Sequence, residues 1–160
     1  MEIHLKTLGC RLNEAELETW ARQFRQLGHR ITADPDTADL LVINTCAVTE
    51  EAVRKSRRLI RRTHNSNPQA KLVVSGCYAS LNPGETGDLP GVDLLIDNRE
   101  KDQLPSLVNT QLADGTMPVI ATEPGENPLF SRGRQRAFIK VQDGCRYQCT
   151  FCIVTRARGE

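Results

Sequence analysis

The sequence predicts an α/β fold built on a doubly wound parallel sheet. Apolar runs of strand length alternate with stretches of helical periodicity along the first hundred residues. Two of the runs, "LLVIN" and "KLVVSG", are apolar almost throughout, as expected of strands covered on both faces. A 39% hydrophobic content with 26% charge is that of a globular chain rather than a disordered one.

The elements follow in order. Ile3 to Leu8 reads as a short buried strand. Asn13 to Leu27 reads as a helix, because Leu17, Trp20, Ala21, Phe24 and Leu27 recur at three- and four-residue steps. Asn13 is placed to cap it, with Glu16 three residues on forming part of a capping box, and Gly28 is placed to end it. His29 to Thr32 reads as a brief strand and "LLVIN" as a buried one. Thr49 to His64 reads as a second helix, with Val53, Ser56, Leu59 and Ile60 inside. "KLVVSG" is a strand ending at Gly76, "LNPGETGDLPG" is loop-rich, "VDLLID" is a strand, and Glu100 to Val108 is a closing helix. One step is awkward. Only five residues separate Thr32 from Ala38, whereas a parallel crossover takes about a dozen or more. Either the second strand is short or its connection lacks a full helix.

These elements place a first domain at residues 1–110. Residues 111–135 carry Pro118, Pro124, Pro128, Gly115, Gly125 and Gly133 with almost no periodicity and read as a connection. "RAFIKVQDG" then reads as the opening strand of a second domain, of which 136–160 is the truncated start.

The net charge of +1 indicates no partner. The first residues, "MEIHLK", form no signal peptide, and no apolar run approaches the ~18–20 residues of a membrane span. A cytoplasmic location with no membrane partner is expected. There, six cysteines point to metal or redox chemistry rather than disulfides.

The cysteines fall into two sets. Cys145, Cys149 and Cys152 have the spacing C-x3-C-x2-C. Three thiolates on one loop can wrap one face of a soft metal centre. A structural zinc site takes four ligands, and no fourth Cys or His follows. That favours a cluster with one iron open, with zinc completed by another residue as the alternative. Phe151 precedes the last cysteine, where an aromatic can pack on a planar ligand.

Cys10, Cys46 and Cys77 are far apart in sequence, yet each follows an expected strand: "IHLKTLGC", "LLVINTC" and "LVVSGC". With strand order 2-1-3-4-5 those strands are neighbours, and all three thiols emerge at the carboxyl edge of the sheet, where ligand sites of such folds lie. Gly9 and Gly76 would let backbone approach a bulky cluster. The competing reading is three inert buried cysteines.

The stretches "TLGCRLNEAELE", "VINTCAVTEEAVRKS", "VVSGCYA" and "VQDGCRYQCTFCIVTRARG" together resemble the methylthiotransferase family of radical S-adenosylmethionine enzymes. The C-x3-C-x-φ-C spacing is that superfamily's own signature. The resemblance implies two 4Fe–4S clusters, an auxiliary one on Cys10, Cys46 and Cys77 and a radical-generating one on Cys145, Cys149 and Cys152. It also implies S-adenosylmethionine as cofactor, with Phe151 beside it, and tRNA as partner, modified at an adenosine of the anticodon loop. An electron donor of the flavodoxin type is implied as a further partner. "TLGC" with N-x-x-E and "NTC-x-V-T" look most like the branch that adds a methylthio group to C2 of threonylcarbamoyladenosine. The branches acting on isopentenyladenosine or a ribosomal protein are the alternatives. A non-catalytic, metal-stabilised RNA-binding module is the reading from another class. Family members continue into a barrel, so this polypeptide alone is expected to be inactive.

"VRKSRRLIRRTH" reads as a solvated helix face, with RNA contact as its competitor. The basic residues of the tail, among them Arg146, Arg156 and Arg158, fit RNA contact or packing against a following barrel. Asn44 and Thr45 either donate to cluster sulfur or cap a strand end. His4, His29 and His64 form no ligand pattern. No G-x-G-x-x-G, P-loop or nucleophile elbow occurs.

Overall fold

The structure, a computed structural model, describes residues 1–112 and 140–160. The order is β1 Glu2–Thr7, α1 Arg11–Gln26, β2 Arg30–Thr32, β3 Leu40–Thr45, α2 Glu50–Ser66, β4 Lys71–Gly76, α3 Cys77–Leu81, α4 Pro83–Gly87 and β5 Leu94–Ile96. A 3-10 turn at Lys101–Gln103 leads into α5 Leu104–Gln111, and α6 Val154–Arg158 lies near the end of the chain. The five strands form one sheet in the order β2-β1-β3-β4-β5, and every pair is parallel. This is the fold class and strand order that the sequence predicts.

Side chains alternate across the sheet, which buries two apolar layers. Ile3, Leu5, Leu40, Val42 and Val73 meet Leu17, Trp20, Ala21 and Phe24 of α1 and Leu104 and Val108 of α5. Leu41, Ile43, Leu72 and Val74 face the other way, onto Ile60 of α2 and Tyr78 and Ala79 of α3. Helix α1 ends as expected at Gly28, whose φ of 82° is a left-handed value that glycine adopts without strain. Helix α2 starts at the Thr49 cap, whose hydroxyl accepts the Ala52 N–H at 3.1 Å.

The awkward step resolves through a short β2. That strand ends opposite His4 and β3 begins opposite Ile3. The chain therefore falls back by only one rung, and no crossover helix is needed. Asn67 pins the connection by donating to the carbonyls of Pro35 at 3.0 Å and Ala38 at 2.8 Å.

Four expectations are corrected. "LNPGETGDLPG" is not simply loop, since α3 ends within it and α4 is Pro83–Gly87, with proline in the first turn where its missing N–H costs nothing. The closing helix opens with a 3-10 turn. Residues Lys140–Asp143 of "RAFIKVQDG" form no strand, and Val141 is 92% exposed. The cap of α1 is Cys10 and not Asn13. Most of the expected connection at 111–135, and residues 136–139, lie outside the described residues.

Candidate metal centre

Three thiols stand at the carboxyl ends of three adjacent strands. Cys10 follows β1 by a short turn and caps α1. Cys46 directly follows β3, and Cys77 directly follows β4 as the first residue of α3. Cys46 and Cys77 are buried, while Cys10 is exposed. A Cβ placed on Gly9, whose φ is 124°, would sit 2.7 Å from the Cys46 Cβ and 3.1 Å from its Sγ. Glycine is therefore required for the Cys10 turn to pass over Cys46. Gly76 has a different reason from the one expected. Its φ is 96°, and a Cβ there would collide with Asn44 Oδ1 and the Thr45 backbone, not with a site for a cluster.

Asn13 organises this rim from the first turn of α1. Its Nδ2 donates to the carbonyls of Leu8 at 2.9 Å and Thr45 at 3.1 Å, tying the ends of β1 and β3. Its Oδ1 accepts from the Cys10 thiol at 3.4 Å. Asn44 and Thr45 serve the scaffold. Asn44 Nδ2 donates to Glu16 Oε2 at 2.9 Å, and Thr45 Oγ1 donates to the Ser75 carbonyl at 2.5 Å. Burial pushes the Cys77 thiol up from its ordinary pKa; the charge of Arg158 and the Asn98 amide, 3.8 Å from the sulfur, oppose it.

The second set lies on a loop cinched at its base. The Cys145 N–H donates to the Gly159 carbonyl at 3.0 Å, and Thr155 Oγ1 donates to the carbonyls of Cys145 at 2.8 Å and Tyr147 at 2.9 Å. Gly144, with φ of 78°, touches Gly159 so closely that no Cβ fits. Cys149 is exposed, and Cys145 and Cys152 are half-buried. An open pocket of ≈ 380 Å³ is lined by Cys149, Phe151, Cys152, Ile153 and Arg156 among others. Phe151 is 90% exposed beside it.

A buried charge cluster that the sequence reading missed joins the two sets. Arg158 lies 2.8 Å from Glu16 Oε1 and 2.8 Å from Asp143 Oδ1, and donates to Asn13 Oδ1 at 2.6 Å. Lys101 Nζ pairs with the same carboxylates at 2.8 and 2.5 Å. Burial works to raise the Asp143 and Glu16 carboxyls, but Lys101 and Arg158 hold both below the usual carboxylate range, Asp143 at about 2. One signal was available: Glu16 falls four residues before Trp20, on the apolar stripe of its helix. The tail arginine at 158 is thus buried against α1. The basic face of α2 is partly paired, with Arg54 and Lys55 on Glu51, and Arg57 on Glu85.

Among the described residues, no three His, Cys, Asp or Glu side chains are already spaced to grip a metal ion. The structure brings Cys10, Cys46 and Cys77 to one rim without closing them to ligand distance. The donor sets nonetheless fit a soft iron–sulfur group. Each offers three thiols, and the Cys10 turn is held over Cys46 by a glycine that tolerates no side chain. No helix is long and apolar enough to cross a membrane, among the described residues.

Comparison with known proteins bears on the family. A family model described as "Uncharacterized protein family UPF0004" matches residues 2–97, the whole five-stranded sheet. The chain is 36% identical over 163 residues to threonylcarbamoyladenosine tRNA methylthiotransferase MtaB of Thermotoga maritima, covering 98% of this chain and 36% of that protein. To MtaB of Aquifex aeolicus it is 36% identical over 168 residues, covering 100% and 41%. To the tRNA-2-methylthio-N(6)-dimethylallyladenosine synthase of Yersinia pseudotuberculosis it is 31% identical over 170 residues, covering 99% and 36%. The chain thus spans well under half the length of these relatives. With more than half of its residues inside the family model, and with the motif resemblance matched by relatives along nearly its whole length, the chain belongs to family UPF0004, the N-terminal domain of methylthiotransferases.

Proposed function

We propose that this chain is the cluster-binding part of a radical S-adenosylmethionine tRNA methylthiotransferase, with threonylcarbamoyladenosine beside the anticodon as its substrate. Cys10, Cys46 and Cys77 would hold an auxiliary 4Fe–4S cluster, and Cys145, Cys149 and Cys152 a second. When bound, the pair would supply sulfur at one site and one-electron cleavage of S-adenosylmethionine at the other. Three thiols per cluster leave one iron without a protein ligand in each case. Phe151, bare beside the open pocket, offers a ring face to the cofactor. A flavodoxin-type donor would supply electrons, and the protein would work in the cytoplasm.

The observation that carries this reading is the convergence of three sequence-distant cysteines at the ends of β1, β3 and β4, next to a second cysteine loop. Domain boundaries at 110 and 135 are proposed with it. The substrate is supported by the two MtaB relatives and is weighed against dimethylallyladenosine, named for the third.

Anaerobic reconstitution with iron and sulfide tests the metal assignment. The chain is expected to turn brown, and replacing either cysteine triplet by alanine is expected to remove about half of the iron. A colourless protein with stoichiometric zinc would instead identify a metal-stabilised module without this chemistry.

A further inference from the structure

The charge cluster between the two cysteine sets is costly. Glu16, Lys101 and Arg158 have side chains no more than 5% exposed, and Asp143 is 23% exposed. Two carboxylates and two cations balance, so the group carries no net charge, yet each ion is still taken out of water. Buried ion pairs of this kind seldom stabilise more than apolar packing would. Their geometry, by contrast, is specific, because one guanidinium can satisfy several acceptors at fixed angles.

Arg158 uses that capacity across two parts of the chain. It belongs to α6, which begins two residues after Cys152. Its partners Glu16 and Asn13 belong to α1, directly behind Cys10, and Asp143 lies two residues before Cys145. Asn13 Oδ1 is shared between the Cys10 thiol and the Arg158 guanidinium. A second tether lies nearby. Asn98 Nδ2 reaches the Ala157 carbonyl at 2.5 Å and the Cys77 sulfur at 3.8 Å. Helix α6 accordingly packs on α3, the helix that Cys77 opens.

We propose that Arg158 is a positioning residue that locks the Cys145–Cys152 loop onto the rim bearing Cys10, Cys46 and Cys77 and places its positive charge against that rim. The lock is a property of the protein alone. The effect of the charge on a bound cluster rests on the function proposed above. A cation beside a cluster favours its reduced, more negative form, so losing the cation lowers the reduction potential.

The test uses the 160-residue chain with Arg158→Met, Arg158→Lys and Asn98→Ala. In the iron-free protein, Arg158→Met is expected to speed amide exchange across 143–159 by about tenfold while β3 and β4 keep their protection. Arg158→Lys should recover part of that protection, since it keeps the charge and loses the fork. Asn98→Ala should loosen the same segment independently. Unchanged exchange in Arg158→Met would overturn the lock whatever Asn98→Ala does, and loss of β3 and β4 protection would overturn it in favour of a general stabilising role. In a background with Cys145, Cys149 and Cys152 replaced by alanine, the remaining cluster should titrate at a lower potential in Arg158→Met and be restored toward wild type by lysine. A potential that does not move overturns the electrostatic half. Failure of every variant and the parent to bind iron would sink the function proposed above, while the exchange data would still judge the lock.

Discussion

The two cysteine sets are presented in opposite ways. Cys10, Cys46 and Cys77 are carried by the ends of strands whose cores are fully buried; Leu41, Val42 and Val73 show no exposure at all. Cys145, Cys149 and Cys152 ride on a loop held by a few hydrogen bonds and two left-handed glycines, with Tyr147 77% and Phe151 90% exposed. The first site inherits its geometry from a hydrophobic core assembled across the whole domain. The second is local, and is docked onto the sheet by Arg158, Lys101 and Asn98.

The comparison can be broken from the core side first. Trp20 is 1% exposed and donates its indole N–H to the Lys101 carbonyl at 2.8 Å. Trp20→Ala is expected to cost about 3–5 kcal/mol in a urea melt, and to disturb the rim and the docked loop together, because Lys101 anchors both. A melt close to wild type would show that the rim does not depend on this core.

Gly9→Ala should come next. A methyl group at a left-handed φ, driven against Cys46, is expected to cost about 1–3 kcal/mol. Alkylation of Cys46 would become faster in this variant, and alkylation of Cys149 would not change. Equal changes at both thiols would show that the effect of the Cys10 turn is not confined to the strand-end site.

Acid should weaken the sheet domain by a smaller, graded amount. Burial holds His4 and His29 below the ordinary value of 6.5, so both stay neutral in the fold while the unfolded chain takes up protons. Stability is therefore full above that value and declines as the pH falls below it. Glu16 adds a second decline below 4.5: burial opposes its ionisation, but Arg158, Lys101 and Asn44 hold its folded pKa down. The urea midpoint should fall between pH 7.5 and pH 5 by these signs. His29→Gln should flatten part of that limb.

Phe151→Ala is expected to have the least effect on folding, within about 0.5 kcal/mol, as for other exposed positions. Its effect should appear only in S-adenosylmethionine binding to the reconstituted protein, measured by calorimetry. A large loss of stability would mean that the second site is built into the core after all.

Much of the first site was legible in the sequence. "LLVINTC" and "LVVSGC" each announce a strand by an apolar run and a thiol at its end, because a strand covered on both faces reads as a near-continuous apolar run. The N-terminal boundary of α1 was misread for a reason of chemistry. Asn13 and Glu16 have the composition of a capping box, yet both are inside the helix and turned to tertiary partners, Thr45, Asn44, Lys101 and Arg158. A capping motif is a local preference, and a buried charge partner outweighs it. Of the strand expected over "RAFIKVQDG", the described residues Lys140–Asp143 are not in a strand, and Asp143 pairs with Lys101 and Arg158.

By itself the sequence determined the alternation of strands and helices, the strand order, and the edge at which Cys10, Cys46 and Cys77 emerge, because hydrophobic period and chain connectivity act locally and leave few topologies. Only the tertiary structure decided that Arg158 would turn inward to meet Glu16, 142 positions away. No spacing rule signals such a contact. It exists because two charges removed from water must find each other, and the completed fold alone brings them within reach.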